Sequence, residues 1–520
     1  MASDPKQPVA PKAKPSAPLS ERIMELAVSR GFLIPSAQIY NPPAGFYDYG
    51  PVGAAIKRKL VALWRNIFIT RPGFLEIETS LVLPREVLIA SGHAASFADP
   101  LAECLKEKKK FRADKLLEKA TLKSCEGQSA AQLDAALKEH DIKCPDCGSP
   151  LGPVSSFNLM FATSVGTSGE ANAFLRPETA QGIFLDFKRL FIQNGSKLPL
   201  AVGQVGKSFR NEISPRQGLV RAREFSQMEL EYFFNPKRAV FEGFDEIAGK
   251  KVRIKPPADG DVQPDVAEFT LQEAVSLGYF PNSIMAAFVC WQQELYEAYG
   301  IPRSKFHFSV LPADSLPHYS KGNVDLEVET SYGFIETAGT AYRTDFDLSG
   351  HAKHSGESME VFVPGEGEKA PGERIVPHVI EPSLGVDRPF YCILEHAYRP
   401  AGGAHEWEWF AFKPAIAPYT CGVFPLMKKD GLDLLADRVL SSLREAGVDC
   451  YYSQTGSIGK RYARADEIGV PYGITVDYQS KEDDTVTVRY RDDGGQERVK
   501  IGELASKLLA LSKAQKTSLS

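Results

Sequence analysis

Between residues 200 and 234 apolar and polar side chains alternate with a period of two, which predicts two strands joined by a turn. In the second arm Met228, Leu230 and Tyr232 fall on one face, and Arg221, Arg223, Phe225, Gln227, Glu229 and Glu231 on the other. In the first arm Ser208, Arg210 and Glu212 alternate against Phe209, Asn211 and Ile213. Successive strand side chains point to opposite faces, so one side of this hairpin reads as core and the other as a floor of arginines, a ring and carboxylates. Upstream, the pattern predicts an amphipathic helix from Ser20, a helix from about Ala54 to Thr70 after the turn-rich "NPPAGFYDYGPVG", and a strand in "PGFLEIETSLVLP" ending at Pro84. Residues 97–150 are lysine-rich, hold half of the cysteines and read as an inserted subdomain; a second insertion-like region covers roughly 236–325. "SYGFIETAGTAYRTDFDL" and a strand running into a helix, "VPHVIEPSLGVDRPFYCILEHAY", close a first large domain over 20–410.

Past residue 411 the pattern changes. "TCGVFPLM", "VDCYYSQ" and "PYGITVDY" read as strands, alternating with helices in "GLDLLADRVLSSLREAG" and "GSIGKRYARADEIG". A hairpin turning at "RDDGGQ" and a last helix follow. Alternation of this kind predicts a small, largely parallel sheet, hence a separate α/β domain over 411–514.

Composition narrows the class. A chain of 520 residues exceeds one ordinary core. With 43% hydrophobic and 24% charged residues it matches soluble globular proteins. Residues 1–19, rich in Pro, Lys, Ala and Ser, predict a disordered tail. They lack the apolar core of a signal peptide, and no later run is long enough to span a bilayer, so no membrane association and a cytoplasmic location are expected. A net charge of −5 gives no global basic field, so a nucleic acid would be met by local patches. Eight scattered cysteines suggest reduced thiols rather than a disulfide framework.

Charge also sharpens the reading of the hairpin. Lys207, Arg210, Arg216, Arg221 and Arg223 stand among Glu212, Glu224, Glu229 and Glu231. A solvated sheet face with cross-strand ion pairs would account for the charges but not for Phe225 in their midst. Arginines suit phosphates, a ring suits base stacking, and carboxylates suit an ammonium or an exocyclic amine. Together they describe a pocket for a nucleotide and an amino compound. "AVGQVGKS" (201–208) only imitates a phosphate-binding loop: Ala201 replaces the first glycine, and the segment runs into a strand where that loop needs a helix. "CPDCG" (144–148) is half of a zinc knuckle whose upstream partners, Cys104 and Cys125, stand isolated, so an incomplete site rather than a structural zinc is expected. "HAKH" (351–354), with no third ligand at matching spacing, reads as a surface pair.

"FRNE" at 209–212 followed by "RAREF" resembles motif 2 of the class II aminoacyl-tRNA synthetases, "PSLGVDR" (382–388) resembles motif 3, and "GFLEIETSLVLP" resembles motif 1. "FRADKL", "NLMF", "RPETAQGIF", "FRNEISPR", "REFSQMELEYF" and "EPSLGVDR" are similar to the dimeric glycyl-tRNA synthetases in particular, and the likeness runs from about residue 20 to the end. The resemblance implies an antiparallel catalytic sheet flanked by helices, an α+β catalytic domain, joined to a C-terminal α/β anticodon-binding domain. It implies glycine, ATP and tRNA(Gly) as substrates, Mg²⁺ accompanying ATP, and a homodimer built on motif 1.

By the same resemblance Arg210 and Arg388 would be the catalytic pair, holding the α- and γ-phosphates. Glu212 would read the adenine amine and Phe225 would stack on the base, with Asn211, Val220, Arg221, Ala222, Arg223 and Glu224 around them. Glu336 would carry Mg²⁺, with Thr337 beside it in place of the family's usual hydrophobic residue. Gly385, Val386 and Asp387 would bring backbone close to the nucleotide. Glycine would lie among Glu178, Gln227, Glu229, Glu381 and Ser383, in contact with Phe225 and Gly385, with Arg112 reaching in from the insertion. The lysine run "KEKKK" (106–110) is then either a solvated face or a contact to the tRNA acceptor end. Lys460, Arg461, Tyr462 and Arg464 would suit a single-stranded loop such as an anticodon. A sibling specificity for proline, threonine, serine or alanine is the nearest rival, opposed by Glu229 and "RPETAQG". A non-catalytic RNA-binding relative should have lost Arg210 and Arg388, and both are present.

Overall fold

The computed structural model describes residues 17–517 except 122–124, 126–127, 168–170, 214, 216–217, 259–263, 318, 366–370 and 403–404. Most of the segment expected as a tail therefore lies outside the described residues. Helix α1 (Leu19–Ser29) buries Ile23 and Ala27, and α2 (Pro51–Arg65) starts with proline at its first position, where the missing N–H costs nothing. A wider helical turn, Asn66–Thr70, extends α2 to the end expected for it.

Nine strands form the central sheet: β1 (Leu75–Glu76), β2 (Leu200–Phe209), β3 (Glu224–Phe234), β4 (Lys251–Lys255), β5 (Ala267–Thr270), β6 (Phe306–Val310), β7 (Asn323–Thr330), β8 (Gly333–Thr344) and β9 (His378–Gly385). Their order is β5-β4-β6-β7-β8-β9-β3-β2-β1, antiparallel except for the β4–β6 and β2–β1 pairs. Region 236–325, expected as insertion-like, supplies three of these strands and helix Ser283–Ala298, which packs into the main core. Motif 1 forms two short pieces rather than one strand, Leu75–Glu76 and Val82–Pro84. The backbone between them leaves the sheet to wrap buried Arg176, whose guanidinium bonds the Thr79 and Ser80 carbonyls.

Parity along β3 holds. Met228, Leu230 and Tyr232 face a core completed by Trp64, Phe68 and Phe288. The opposite face is also covered, but only at one end. There Phe233 packs against Phe184 and Phe187 of α3 (Ala180–Gln193). Toward Phe225 nothing of α3 remains over the sheet, and the uncovered floor becomes a cavity. Helix α4 (Asp387–Ala397) leaves the end of β9 at the rim of that cavity.

The insertion carries its own three-stranded sheet, in which Ala98–Glu103 pairs antiparallel with Lys110–Arg112 and Ser155–Asn158. The C-terminal unit has strands β10 (Cys421–Pro425), β11 (Cys450–Tyr452), β12 (Tyr472–Val476), β13 (Thr485–Tyr490) and β14 (Gln496–Lys500), ordered β11-β10-β12-β13-β14. The first three are parallel and the last two form the hairpin expected at "RDDGGQ". Helix Ile458–Glu467 revises one reading: Arg461 is buried and donates to the Pro425 and Leu426 carbonyls, while the Tyr462 hydroxyl meets Thr475 Oγ1 at 2.5 Å. Two of the four residues offered for RNA contact are thus engaged within the unit, Arg461 at the end of β10 and Tyr462 on β12, leaving Lys460 exposed and Arg464 on the Thr455 carbonyl.

Candidate active site

The uncovered floor is a cavity of about 370 Å³ between β3, β8, β9, the turn 210–222 and the start of α4. Strand register sets its rows: Glu229 pairs with Ser383, Ser383 with Gly339, and Gly339 with Asp325 across four strands. Gln227 stands beside Gly385 in the next row. A Cβ on Gly385 would find protein only at 4.0 Å, the Thr337 carbonyl, so what it would fill is the cavity itself. Glycine at this position leaves bare backbone on the rim.

The mouth is basic and flat-sided. Arg210 lies between two rings, its guanidinium carbon 5.4 Å from the centre of Phe97 and 5.3 Å from that of Phe225, and donates to the Pro177 carbonyl at 3.2 Å. Arg221 is aimed by Glu212 (2.6 Å). Arg388, near the N-terminus of α4, donates to the Val220 and Glu336 carbonyls, and its guanidinium is 3.5 Å from the Glu336 carboxylate. Arg210 and Arg388 are held through carbonyls and Arg221 through the Glu212 carboxylate, and guanidinium groups so placed suit an anion.

The deep end is acidic. Glu229, 2% exposed, accepts from the Thr179 N–H (2.9 Å), the Thr179 hydroxyl, the Ser383 hydroxyl (2.7 Å) and the Gln227 amide (2.8 Å). Burial, and the neighbouring Glu178 charge, still push its pKa above the ordinary carboxyl value. Glu178 goes the other way: burial would raise it, but His93 at 3.4 Å and Arg343 pull it down. Arg343 is the centre of this end, donating to Asp347 (2.7 and 2.9 Å) and Glu381 (2.8 Å), with its guanidinium carbon 4.3 Å from the centre of the Tyr319 ring. Burial lifts Glu381 to about 8 even beside Arg343. Glu231 is pushed well up by burial and by Glu381, and neither of its oxygens has a hydrogen-bond partner among the described residues.

Sixteen of the residues named from sequence line this cavity, from Glu178 and Arg210 to Asp387 and Arg388. Five do not. Asn211 gives its N–H to the Leu159 carbonyl, Glu224 pairs with Lys207 at 2.9 Å, and Val386 is buried behind the rim. Arg223 turns away to the Ala44 and Glu212 carbonyls, because β3 begins at Glu224 and the alternation does not extend back to it. Arg112 stops short, reaching Asp99 (3.1 Å), which in turn lies 3.7 Å from Arg221. The sequence reading missed Arg343, Asp347, Tyr319 and His93. A signal existed for the first two, the i, i+4 pair inside "YRTDFD". The expected surface pair at 351–354 needs correction: His351 is buried and meets Gln181 Oε1 at 2.8 Å, while that amide's nitrogen bridges Glu178 and Asp347. It supports the acidic end.

Residues 162–249 match the tRNA synthetase class II core domain (G, H, P, S and T), and residues 420–511 match the anticodon binding domain. The glycine–tRNA ligase of Methanocaldococcus jannaschii is 39% identical, over 94% of this chain and 98% of that one. The glycine–tRNA ligase of Pyrococcus horikoshii is 40% identical with the same coverage. Among solved structures, prolyl-tRNA synthetase from Cryptosporidium parvum superposes with a TM-score of 0.57 at 14% identity, covering 96% of this chain and 76% of that one, a likeness of fold.

Proposed function

The chain belongs to the glycine–tRNA ligases of class II and joins glycine to tRNA, and from that premise we propose how its cavity divides the work between ATP at the mouth and glycine at the deep end. The observation that carries this division is the polarity of one continuous cavity, with Arg210, Arg221 and Arg388 at one end and Glu178, Glu229 and Glu381 at the other. Phe225 at the mouth offers a face to adenine, and Glu212 an acceptor for its amine. The glycine ammonium fits Glu229, Ser383 and the carbonyl oxygen of buried Gln227, which has no hydrogen-bond partner among the described residues. A small pocket lined by carboxylates rejects larger amino acids by sterics, and no editing domain is required.

In the first step a glycine carboxylate oxygen bonds to the α-phosphorus of ATP while the bond to the bridging oxygen of the β-phosphate breaks, leaving glycyl-adenylate and pyrophosphate. The nucleophile is already ionised, so positioning and charge stabilisation suffice. Arg210 reaches the α-phosphate and Arg388 the γ-phosphate. Glu336 and Asp325, oxygen donors lining the cavity, fit a hard divalent ion and would hold Mg²⁺, which when bound neutralises polyphosphate charge. In the second step the 3′-OH of the tRNA terminal adenosine attacks the glycyl carbonyl and AMP leaves.

The C-terminal unit is proposed to hold the anticodon of tRNA(Gly). Exposed Leu81 and Val82 in motif 1, near equally exposed Ile89, favour a homodimer through that segment. No described helix is long and apolar enough to cross a membrane. Cys421 and Cys450 lie 3.6 Å apart as free thiols, which suits the cytoplasm. ATP–pyrophosphate exchange with glycine, alanine, serine, proline and threonine tests the reading. Exchange with glycine alone, abolished in Arg210→Ala, is expected; exchange with another amino acid would overturn the pocket assignment.

A further inference from the structure

The insertion brings together three thiols that the sequence separates by forty residues. Sγ of Cys104, Cys144 and Cys147 all lie within 4.8 Å of one another, with Cys104 and Cys147 3.5 Å apart. Sulfurs on a tetrahedral zinc ion sit about 3.8 Å apart, given Zn–S bonds of about 2.3 Å. Cys104 and Cys144 are buried, within an apolar shell that includes Phe111, Leu116 and Leu151.

The two turns that carry them have the same construction. In 144–148 the Gly148 N–H donates to the Cys144 carbonyl at 2.9 Å, and Gly148 has φ +70°. In 104–108 the Lys108 N–H donates to the Cys104 carbonyl at 2.9 Å, and Lys108 has φ +59°, rare for a residue with a side chain. The third residue after the first cysteine is Cys147 in one turn and Glu107 in the other. The Glu107 N–H also donates to Cys104 Sγ at 3.4 Å, the kind of bond that supports charge on sulfur.

We propose that Cys104, Cys144 and Cys147 bind one zinc ion and that Glu107, whose carboxylate now meets Lys109 outside the sulfur cluster, turns in as its fourth ligand. Binding sends three thiol protons to solvent and leaves a site of charge −2. The lysine run 106–110 then has a purpose the catalytic reading did not give it. Lys109 already spans the two turns, 2.9 Å from Glu107 and 2.8 Å from Asp146. The ion would pin the closed end of the hairpin formed by Ala98–Glu103 and Lys110–Arg112, whose strands carry Asp99 and Arg112 toward Arg221 at the cavity mouth.

The test uses full-length protein, reduced, stripped with a chelator and titrated with Co²⁺. One equivalent should produce a thiolate-to-cobalt charge-transfer band and tetrahedral d–d bands, both abolished by Zn²⁺. Cys147→Ser should weaken binding at least about tenfold without changing the far-ultraviolet circular dichroism, because that side chain is partly exposed at the edge of a small cluster and serine nearly keeps its size. Glu107→Cys should tighten binding and intensify the charge-transfer band, and Glu107→Gln should weaken it. Cobalt spectra that persist in a Cys104→Ser/Cys147→Ser double variant, or their absence from the native protein, would overturn the site. So would a Cys104–Cys147 disulfide in protein alkylated at lysis. Glu107 variants that leave affinity and spectrum untouched would remove it as the fourth ligand.

Discussion

In the proposed division of the cavity, Glu229 concentrates the conflict on which glycine recognition would depend. Four donors favour its charged form, while burial and Glu178 oppose it, and the balance leaves its pKa raised. An incoming ammonium adds the missing positive charge. Glu229→Gln keeps the shape and removes the charge, so KM for glycine in pyrophosphate exchange should rise about 10- to 100-fold, the worth of one charge-assisted hydrogen bond, with KM for ATP little changed. In the native protein KM for glycine should rise as pH falls through the raised pKa, because the protonated acid no longer attracts the ammonium; a profile flat over that range would count against the assignment. Glu231 tests the same electrostatics through stability. Its folded pKa lies well above the unfolded value of about 4.3, so the stability tied to its neutral form is complete below that value and declines as pH rises toward the folded pKa. Glu231→Gln should remove that decline, giving a flatter dependence of the urea midpoint on pH above about 4.3 than the native chain shows.

At the level of elements, α4 is aimed by its own second residue's neighbour. Asp387 accepts from the Tyr49 hydroxyl and from the Ser226 N–H of β3, both at 2.7 Å, and so fixes the strand–helix junction that presents Arg388. An acid in the first helical turn also suits the helix dipole. Asp387→Ala should destabilise the protein by roughly 2–3 kcal/mol, since a buried N–H and a half-buried hydroxyl lose a charged acceptor. It should raise KM for ATP more than KM for glycine; equal rises would mean the junction does not aim Arg388. The strand parity that made the hairpin readable worked because alternation survives any tertiary setting, and it failed where the strand does. Arg223 and Asn211 lie beyond the strand ends, in turns whose geometry depends on Ala44 and Leu159 far away in sequence. Arg343 was invisible for a related reason. Asp347 is its own i, i+4 neighbour, the one local trace, but Glu178 and Glu381 come from two other segments, and no local pattern announces a meeting across that distance. Cys104 looked isolated for the same cause, since its partners lie forty residues on.

For the whole molecule the question is how a cavity near Arg210 and an anticodon reader beyond residue 420 act on one tRNA. The two units share a core: Phe424, Ala465, Ile468 and Val470 of the C-terminal part belong to the same apolar cluster as Phe32, Phe410 and Phe412. Arg30 adds a two-pronged contact to Glu467, and Arg491 donates to the Phe412 carbonyl. On the proposed reading, docking by core-like packing would set a fixed distance between the two ends of the tRNA, whereas exchange of pyrophosphate would need the cavity alone. Phe412, buried beside Phe32 and Phe410, places its ring against Gly469 of the C-terminal unit and is one of the side chains through which the units meet. Phe412→Ala should cost about 3–5 kcal/mol of stability. Among the molecules that remain folded, glycine-dependent exchange should persist while KM for tRNA in charging rises. A variant losing exchange and charging in equal proportion would show instead that the shared core supports the cavity, and that the anticodon unit is not positioned through it.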